Sequence, residues 1–112
     1  MLANGGELEG VRILGTKTVE YLRSDHTTKI EERDSWFDAG MGFGLGVGIV
    51  TNPAESGMLR SRGEYFWLGG ASTSFLIAPE EGLVAIQMMQ LRPILPGFDH
   101  DFRILVYQAL VE

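Results

Sequence analysis

The sequence predicts an α+β fold, an antiparallel sheet covered by helices. Three observations predict it. Strand-length apolar runs separated by turn residues crowd the stretch from Glu64 to Gln90. An amphipathic pattern follows near the C-terminus, and a shorter helical signal lies near the N-terminus. At 112 residues the chain fits one domain, taken as residues 1–112, with a single core.

The elements follow in order. Gly5-Gly6 after Met1-Leu2-Ala3 reads as a helix stop, and Glu9-Gly10 as a turn. Thr16 precedes Lys-Thr-Val-Glu-Tyr-Leu-Arg and is the expected N-cap of a helix over about 17–25. The polar stretch 26–40, with its charge cluster from Lys29 to Asp34, reads as a solvated loop. Phe43-Gly-Leu-Gly-Val-Gly-Ile-Val50 predicts a strand. Phe43, Leu45, Val47 and Ile49 fill one face, and glycines leave the other open to close approach by a helix or backbone.

Residues 51–63 read as an exposed loop. Strands are expected at about 64–68, 72–78 and 83–90, the last two joined by the turn Pro79-Glu-Glu-Gly82. Leu83-Val-Ala-Ile-Gln-Met-Met is apolar on both faces, which predicts a central strand. The closing helix is expected from Asp99 or Asp101, with Phe102, Leu105, Val106, Ala109 and Leu110 as its apolar stripe. Acidic residues at its start suit the helix dipole.

Composition narrows the function classes. The net charge is −6 with nine scattered Lys and Arg, which argues against a nucleic-acid groove or a polybasic membrane patch. The absence of cysteine excludes disulfides, thiolate metal sites and a Cys nucleophile. No apolar run approaches the ~18 residues of a spanning helix, and the first residues lack the pattern of a signal peptide. The compartment stays open between cytoplasm and periplasm. Neither histidine, His26 or His100, has a carboxylate at metal-binding spacing, so no metal or other cofactor is expected. The glycines of 40–48 lack the Gly-Lys-Ser/Thr of a phosphate loop.

One stretch carries chemistry. In Glu64-Tyr-Phe-Trp-Leu-Gly-Gly-Ala-Ser-Thr-Ser-Phe75 two glycines interrupt a strand pattern, which marks a bulge or a close approach by backbone or ligand. Five segments in order resemble the C-terminal third of the serine β-lactamase-like superfamily, nearest to class C β-lactamases, related carboxylesterases and penicillin-binding proteins. They are Met1-Leu-Ala-Asn-Gly-Gly-Glu-Leu with Leu14-Gly-Thr-Lys-Thr-Val-Glu, Met41-Gly-Phe-Gly-Leu-Gly-Val-Gly, Trp67-Leu-Gly-Gly-Ala-Ser-Thr-Ser-Phe, Ala78-Pro-Glu-Glu-Gly-Leu-Val-Ala, and Val106-Tyr-Gln-Ala-Leu.

The resemblance implies roles. Trp67, Leu68 and Gly69 match the strand triplet that borders the family's active-site cleft. Gly70 matches the position whose backbone N–H forms half of the oxyanion hole. Such a donor must come within about 3 Å of the developing alkoxide, which a glycine permits. The family's triplet is Trp-x-Gly, His-x-Gly or Lys-Thr-Gly, and Trp67 in place of the lysine favours esters over penicillin-type acids. Lys17-Thr18 and Ser24-Asp25 resemble other family elements, but at the wrong places on a helix, and are read as structural.

The family's nucleophile and base are missing from these residues. None of Ser24, Ser35, Ser56, Ser61, Ser72 and Ser74 is followed three residues later by lysine, and no tyrosine has asparagine two residues on. The chain is therefore expected to be a C-terminal fragment of a serine hydrolase, inactive alone, whose parent acts on a small-molecule acyl substrate. The alternative is a non-catalytic interaction module that self-associates or complements an N-terminal fragment.

Overall fold

The computed structural model describes residues 1–30, 39–95 and 97–111. Most of the loop and charge cluster expected over 26–40 lies outside the described residues, as does Ser35.

A 3-10 turn at Leu2–Asn4 ends at Gly5, whose left-handed backbone (φ 62°) returns its N–H to the Leu2 carbonyl. The expected glycine stop is there. A two-strand hairpin follows, β1 (Glu7–Leu8) and β2 (Val11–Arg12), turned by Glu9 and Gly10, both at positive φ. The helix α1 spans Thr16–Leu22. Its cap is Gly15 in extended conformation, and Thr16 is the first helical residue, its hydroxyl accepting from Arg12 Nη1 at 3.4 Å. The expected Thr16 cap is thus displaced by one residue, because Arg12 engages the hydroxyl. The helix ends three residues early, where the Ser24 hydroxyl donates to the Glu20 carbonyl (2.7 Å).

The Phe43–Val50 stretch is not one strand. It is a hairpin of β3 (Met41–Phe43) and β4 (Gly48–Val50). Gly44 N–H donates to the Val47 carbonyl (2.8 Å), and Gly46 turns at φ 87°. Alternation of glycine and apolar residues fits a strand and a tight turn equally well, and contacts with α1 decide between them. Leu45 N–H donates to the Leu22 carbonyl (2.9 Å), and a Cβ on Gly44 would sit 2.2 Å from that same oxygen. The close approach expected of these glycines is present, made by the end of a helix. In the loop 51–63, a single turn α2 (Pro53–Ser56) replaces uniform coil. Proline at its start and the left-handed Gly57 after it explain both ends.

Three strands complete a sheet ordered β3-β4-β5-β6-β7, every pair antiparallel: β5 (Tyr65–Leu68), β6 (Ser74–Ala78) and β7 (Leu83–Gln87). The turn Pro79–Gly82 joins β6 to β7 as expected, with Gly82 N–H on the Pro79 carbonyl. β7, expected to be central, is an edge, and among the described residues no strand lies beyond it. Its two-faced apolar pattern is real, but only one face is covered. Ile86 is 62% exposed, and Met88 just beyond the strand 80%.

Directly paired residues share a face. Ile49, Tyr65 and Ile77 stand on one side with Val47, and Leu2, Leu22 and Phe75 pack against them. Phe66, Leu76 and Ala85 stand on the other side, where Ala78 and Tyr107 join them. Tyr107 belongs to the closing helix α3 (Phe98–Gln108), which packs on the sheet.

The helix docks by a different stripe from the expected one. Arg103 and Tyr107 are its buried residues, whereas Leu105 is 65% exposed and Leu110 is also exposed. Phe102 and Val106 are half-buried. The sheet offers a buried carboxylate. Glu64 accepts from Arg103 Nη1 (2.6 Å) and from the Tyr107 hydroxyl (2.7 Å), with Arg60 Nη1 at 3.9 Å. Asp99 accepts from Arg103 Nε (2.7 Å), and the Arg103 guanidinium lies 4.4 Å over the Phe66 ring. A polar stripe, Asp99, Arg103 and Tyr107 at i, i+4 and i+8, faces the sheet in place of the apolar one, because the buried Glu64 carboxylate left without these partners would be costly.

Burial and the bond to Glu64 push the Tyr107 phenol well above its ordinary 10.0. The folded state holds this proton more tightly than the unfolded chain does. Tyr107 therefore contributes stability that is complete below pH ~10 and is lost as pH rises beyond it. Burial raises Tyr65 as well, against the opposing charge of Arg23. Tyr107→Phe should cost about 1.5–3 kcal/mol near neutral pH, the worth of a hydrogen bond to a charged group. Thermal melts at pH 8 and pH 11 should also show a smaller alkaline loss of Tm in the variant than in the native chain.

Candidate functional site

The two glycines lie in the hairpin turn between β5 and β6, not inside a strand. Gly69 N–H donates to the Thr73 carbonyl (2.7 Å) and Ser72 N–H to the Gly69 carbonyl (3.0 Å). Ser72 takes a positive φ of 62°, uncommon without glycine. It is held there by its buried hydroxyl, which donates to the Leu91 carbonyl (2.9 Å), while Leu91 N–H donates to the Ala71 carbonyl (3.1 Å).

The neighbouring glycines do different jobs. A Cβ on Gly69 would fall 2.0 Å from Thr73 Oγ1, so a side chain here would have to displace the Thr73 hydroxyl. A Cβ on Gly70 would meet only the Arg92 guanidinium, at 3.4 Å. Among the described residues the Gly70 N–H has no acceptor. Gly70 is the exposed member of this turn, so its unbonded N–H is open to solvent.

Trp67 and Leu68 end β5 beside this turn, both exposed. The Trp67 ring meets Phe43 edge-on, centroids 5.1 Å apart. An open groove of about 380 Å³ runs here, lined by Trp67, Leu68, Gly69, Phe75, Ile86 and Met88 among others. Of the four residues expected at the site, Trp67, Leu68 and Gly69 line the apolar groove, and Gly70, with its unbonded N–H, is the next residue along the turn. Such a place can receive an apolar chain and donate a hydrogen bond to a carbonyl oxygen. Arg92 also belongs to the neighbourhood. Sequence reading passed it over because its approach to Gly70 crosses more than twenty residues of chain, and no local pattern records it.

The remaining candidates are structural. His26 Nε2 bonds the Tyr21 carbonyl (2.8 Å), and its ring packs on Tyr21. His100 is exposed on α3 beside Asp101. Asp25 Oδ1 accepts from the Thr27 N–H and hydroxyl and from Phe43 N–H, filling the space that a side chain at Gly42 would need. Every described serine hydroxyl is committed. Ser24 and Ser56 donate to backbone carbonyls, Ser61 to Glu81, Ser72 to Leu91 and Ser74 to Gln87. Among the described residues no group of three or more His, Asp or Glu is placed to hold a metal ion, and no helix is long and apolar enough to cross a membrane.

No family model matches the chain. Two proteins of Mycobacterium tuberculosis, the uncharacterized protein MT1414 and protein Rv1367c, are each 33% identical to it over 100 residues. The match covers 83% of this chain and 25% of theirs, so the chain spans about a quarter of the length of these curated relatives. Solved structures show the same proportion. Simvastatin synthase (LovD) from Aspergillus terreus superposes with a TM-score of 0.72 at 20% identity, over 99% of this chain and 32% of its own. EstCE1, a hydrolase with promiscuous acyltransferase activity, superposes at 0.68 with 16% identity, over 96% of this chain and 26% of its own. The antiparallel sheet and its packed helix are thus part of a β-lactamase-like fold.

The two glycines should separate under mutation. Gly69→Ala should cost about 1 kcal/mol, since Thr73 must leave its rotamer. Gly70→Ala should stay within about 0.5 kcal/mol, as at other open surface positions. Urea unfolding of the two variants side by side measures the difference.

Proposed function

We propose that this chain supplies one wall of the acyl-transfer cleft of a β-lactamase-like serine hydrolase, as its C-terminal segment. The observation that carries the reading is the exposed Gly70 N–H, free of any acceptor among the described residues and one residue on from Trp67, Leu68 and Gly69, which line an apolar groove. In this reading the Gly70 N–H is half of the oxyanion hole, and Trp67, Leu68 and Gly69 border the substrate. The free N–H stabilises the oxygen that gains charge when an ester carbonyl is attacked. Trp67, an exposed neutral ring, packs on the acyl portion. The substrate class is an ester in preference to a β-lactam acid.

The reading requires a nucleophile from outside these residues. Each described serine is engaged in a structural bond, and no Ser-x-x-Lys pattern occurs in the sequence. Covalent acyl transfer needs a serine activated by a base. The similarity to a hydrolase with acyltransferase activity and to a synthase supports the class of chemistry, with this chain matching about a quarter to a third of each.

Hydrolysis of p-nitrophenyl butyrate, with nitrocefin in parallel, tests the proposal. The chain is assayed alone and mixed with the part of the mycobacterial relative outside the matched quarter. Expected is silence from the chain alone and ester hydrolysis from the mixture, abolished by Gly70→Val. Activity that stays with the repurified chain alone would overturn the assignment of the nucleophile elsewhere.

A second reading, a non-catalytic interaction module, is favoured by one observation. β7 is an edge strand whose outer residues Val84 and Ile86 are exposed, and neither lysine nor proline interrupts it. An uninterrupted apolar edge is a template for pairing with another strand. Gel filtration at tens of micromolar should then show a dimer or larger species, and Ile86→Lys should return it to monomer. A clean native monomer would remove this reading.

A further inference from the structure

The segment after β7 is stapled onto the glycine turn. Leu91 N–H donates to the Ala71 carbonyl (3.1 Å), and the buried Ser72 hydroxyl donates to the Leu91 carbonyl (2.9 Å). These two bonds bracket residue 91 and fix where the chain passes the turn. The next residue is Arg92, whose Nη2 lies 3.4 Å from the point a Cβ on Gly70 would occupy. Among the described residues Arg92 has neither a carboxylate nor a carbonyl partner. A guanidinium carries five N–H donors in a planar fork that matches a carboxylate. It stands here beside a backbone N–H that also lacks an acceptor.

Two unfilled donor groups, one charged and one neutral, thus lie side by side at the exposed turn. In a chain of net charge −6 a lone, unneutralised arginine held at a turn makes a local positive pole. We propose that Arg92 is a specificity residue that selects acyl substrates bearing a carboxylate a few bonds from the ester carbonyl. This rests on the acyl-cleft reading of Gly70. The ester carbonyl oxygen accepts from the Gly70 N–H, and the carboxylate accepts from the Arg92 fork. Trp67 and the groove take the apolar part between or beyond them. The preferred substrate is then a half-ester of a dicarboxylic acid, not a simple fatty acyl ester. The glycine at 70 has a second purpose in this arrangement, because any side chain there would stand between the arginine and the bound carboxylate.

The test uses monomethyl succinate and dimethyl succinate, two probes of nearly equal size that differ in one charge. Each is titrated into the nitrogen-15-labelled chain while the Gly70 amide and the Arg92 Nε–H are followed by NMR. The half-ester should move both signals and the diester should move Gly70 more weakly. Arg92→Gln should weaken half-ester binding by about tenfold or more, the worth of a hydrogen bond to a charged group. It should leave the diester unchanged, and Arg92→Lys should be intermediate. If both probes move Gly70 alike, in the native chain and in Arg92→Gln, the arginine proposal is overturned while the acyl-cleft reading stands. If neither probe moves Gly70, even where Arg92 responds to the half-ester, the acyl-cleft reading fails and the proposal with it.

Discussion

A carboxylate without solvent contact organises this molecule. Glu64 is fully buried just before β5, and three side chains meet on it: Arg103 and Tyr107 from α3, and Arg60 from the preceding loop. Burying a charge is costly unless it is paired and hydrogen-bonded, and removing one partner from such a pair costs about 3–5 kcal/mol. Against the ~5–15 kcal/mol that holds a domain together, that is a large share. The cluster sets which side of α3 faces the sheet, and the aromatic ring of Phe66 completes it. Arg103 and Arg60 lie 4.4 Å and 4.8 Å over that ring. Phe66 in turn needs Gly48 opposite it, where a Cβ would fall 2.8 Å from its ring.

The same constraint reaches the glycine turn through the sheet. Glu64 fixes the start of β5 and the Gly69–Ser72 turn fixes its end, only a few residues later. The register of β5 with β6, Tyr65 opposite Ile77 and Leu68 opposite Ser74, is anchored at both ends. A donor aimed at a developing charge must hold its place before the charge appears. In the proposed reading Gly70 meets that demand by sitting in a short hairpin turn tied down by bonds to Thr73, Ser72 and Leu91.

The two faces of the sheet differ in completeness. One carries α3 over Leu76 and Ala78. The other is covered by Leu2 and Leu22 near Tyr65 and Ile77, yet exposes Trp67, Val84 and Ile86 further along. Of these, Trp67 and Ile86 line the groove beside the glycine turn. Both readings of function start there, since an apolar face beside a free donor can receive a substrate or another protein surface.

Much of this was legible in the residues. The strands Tyr65–Leu68, Ser74–Ala78 and Leu83–Gln87 fall within the runs expected at 64–68, 72–78 and 83–90, the last ending three residues early, because Pro79-Glu-Glu-Gly82 and the β-branched runs act over a few residues. Trp67 through Gly70 stood out because glycines inside a strand pattern demand an explanation. Other features were decided by partners far away in the chain. Glycine alternation over 43–50 became a hairpin because the Leu22 carbonyl occupies the space at Gly44. The two-faced apolar pattern of Leu83–Gln87 records what a strand can bury, and only strand order made it an edge. The helix near the end was visible as a helix, but its docking face was not. Leu105 satisfies periodicity, while Arg103 and Tyr107 satisfy a carboxylate some forty residues earlier. Local sequence determined which segments are helices, strands and turns, since those propensities act within a few bonds. Tertiary structure decided which faces are buried and brought Arg92 to Gly70, since both depend on contacts that close only when the chain has folded.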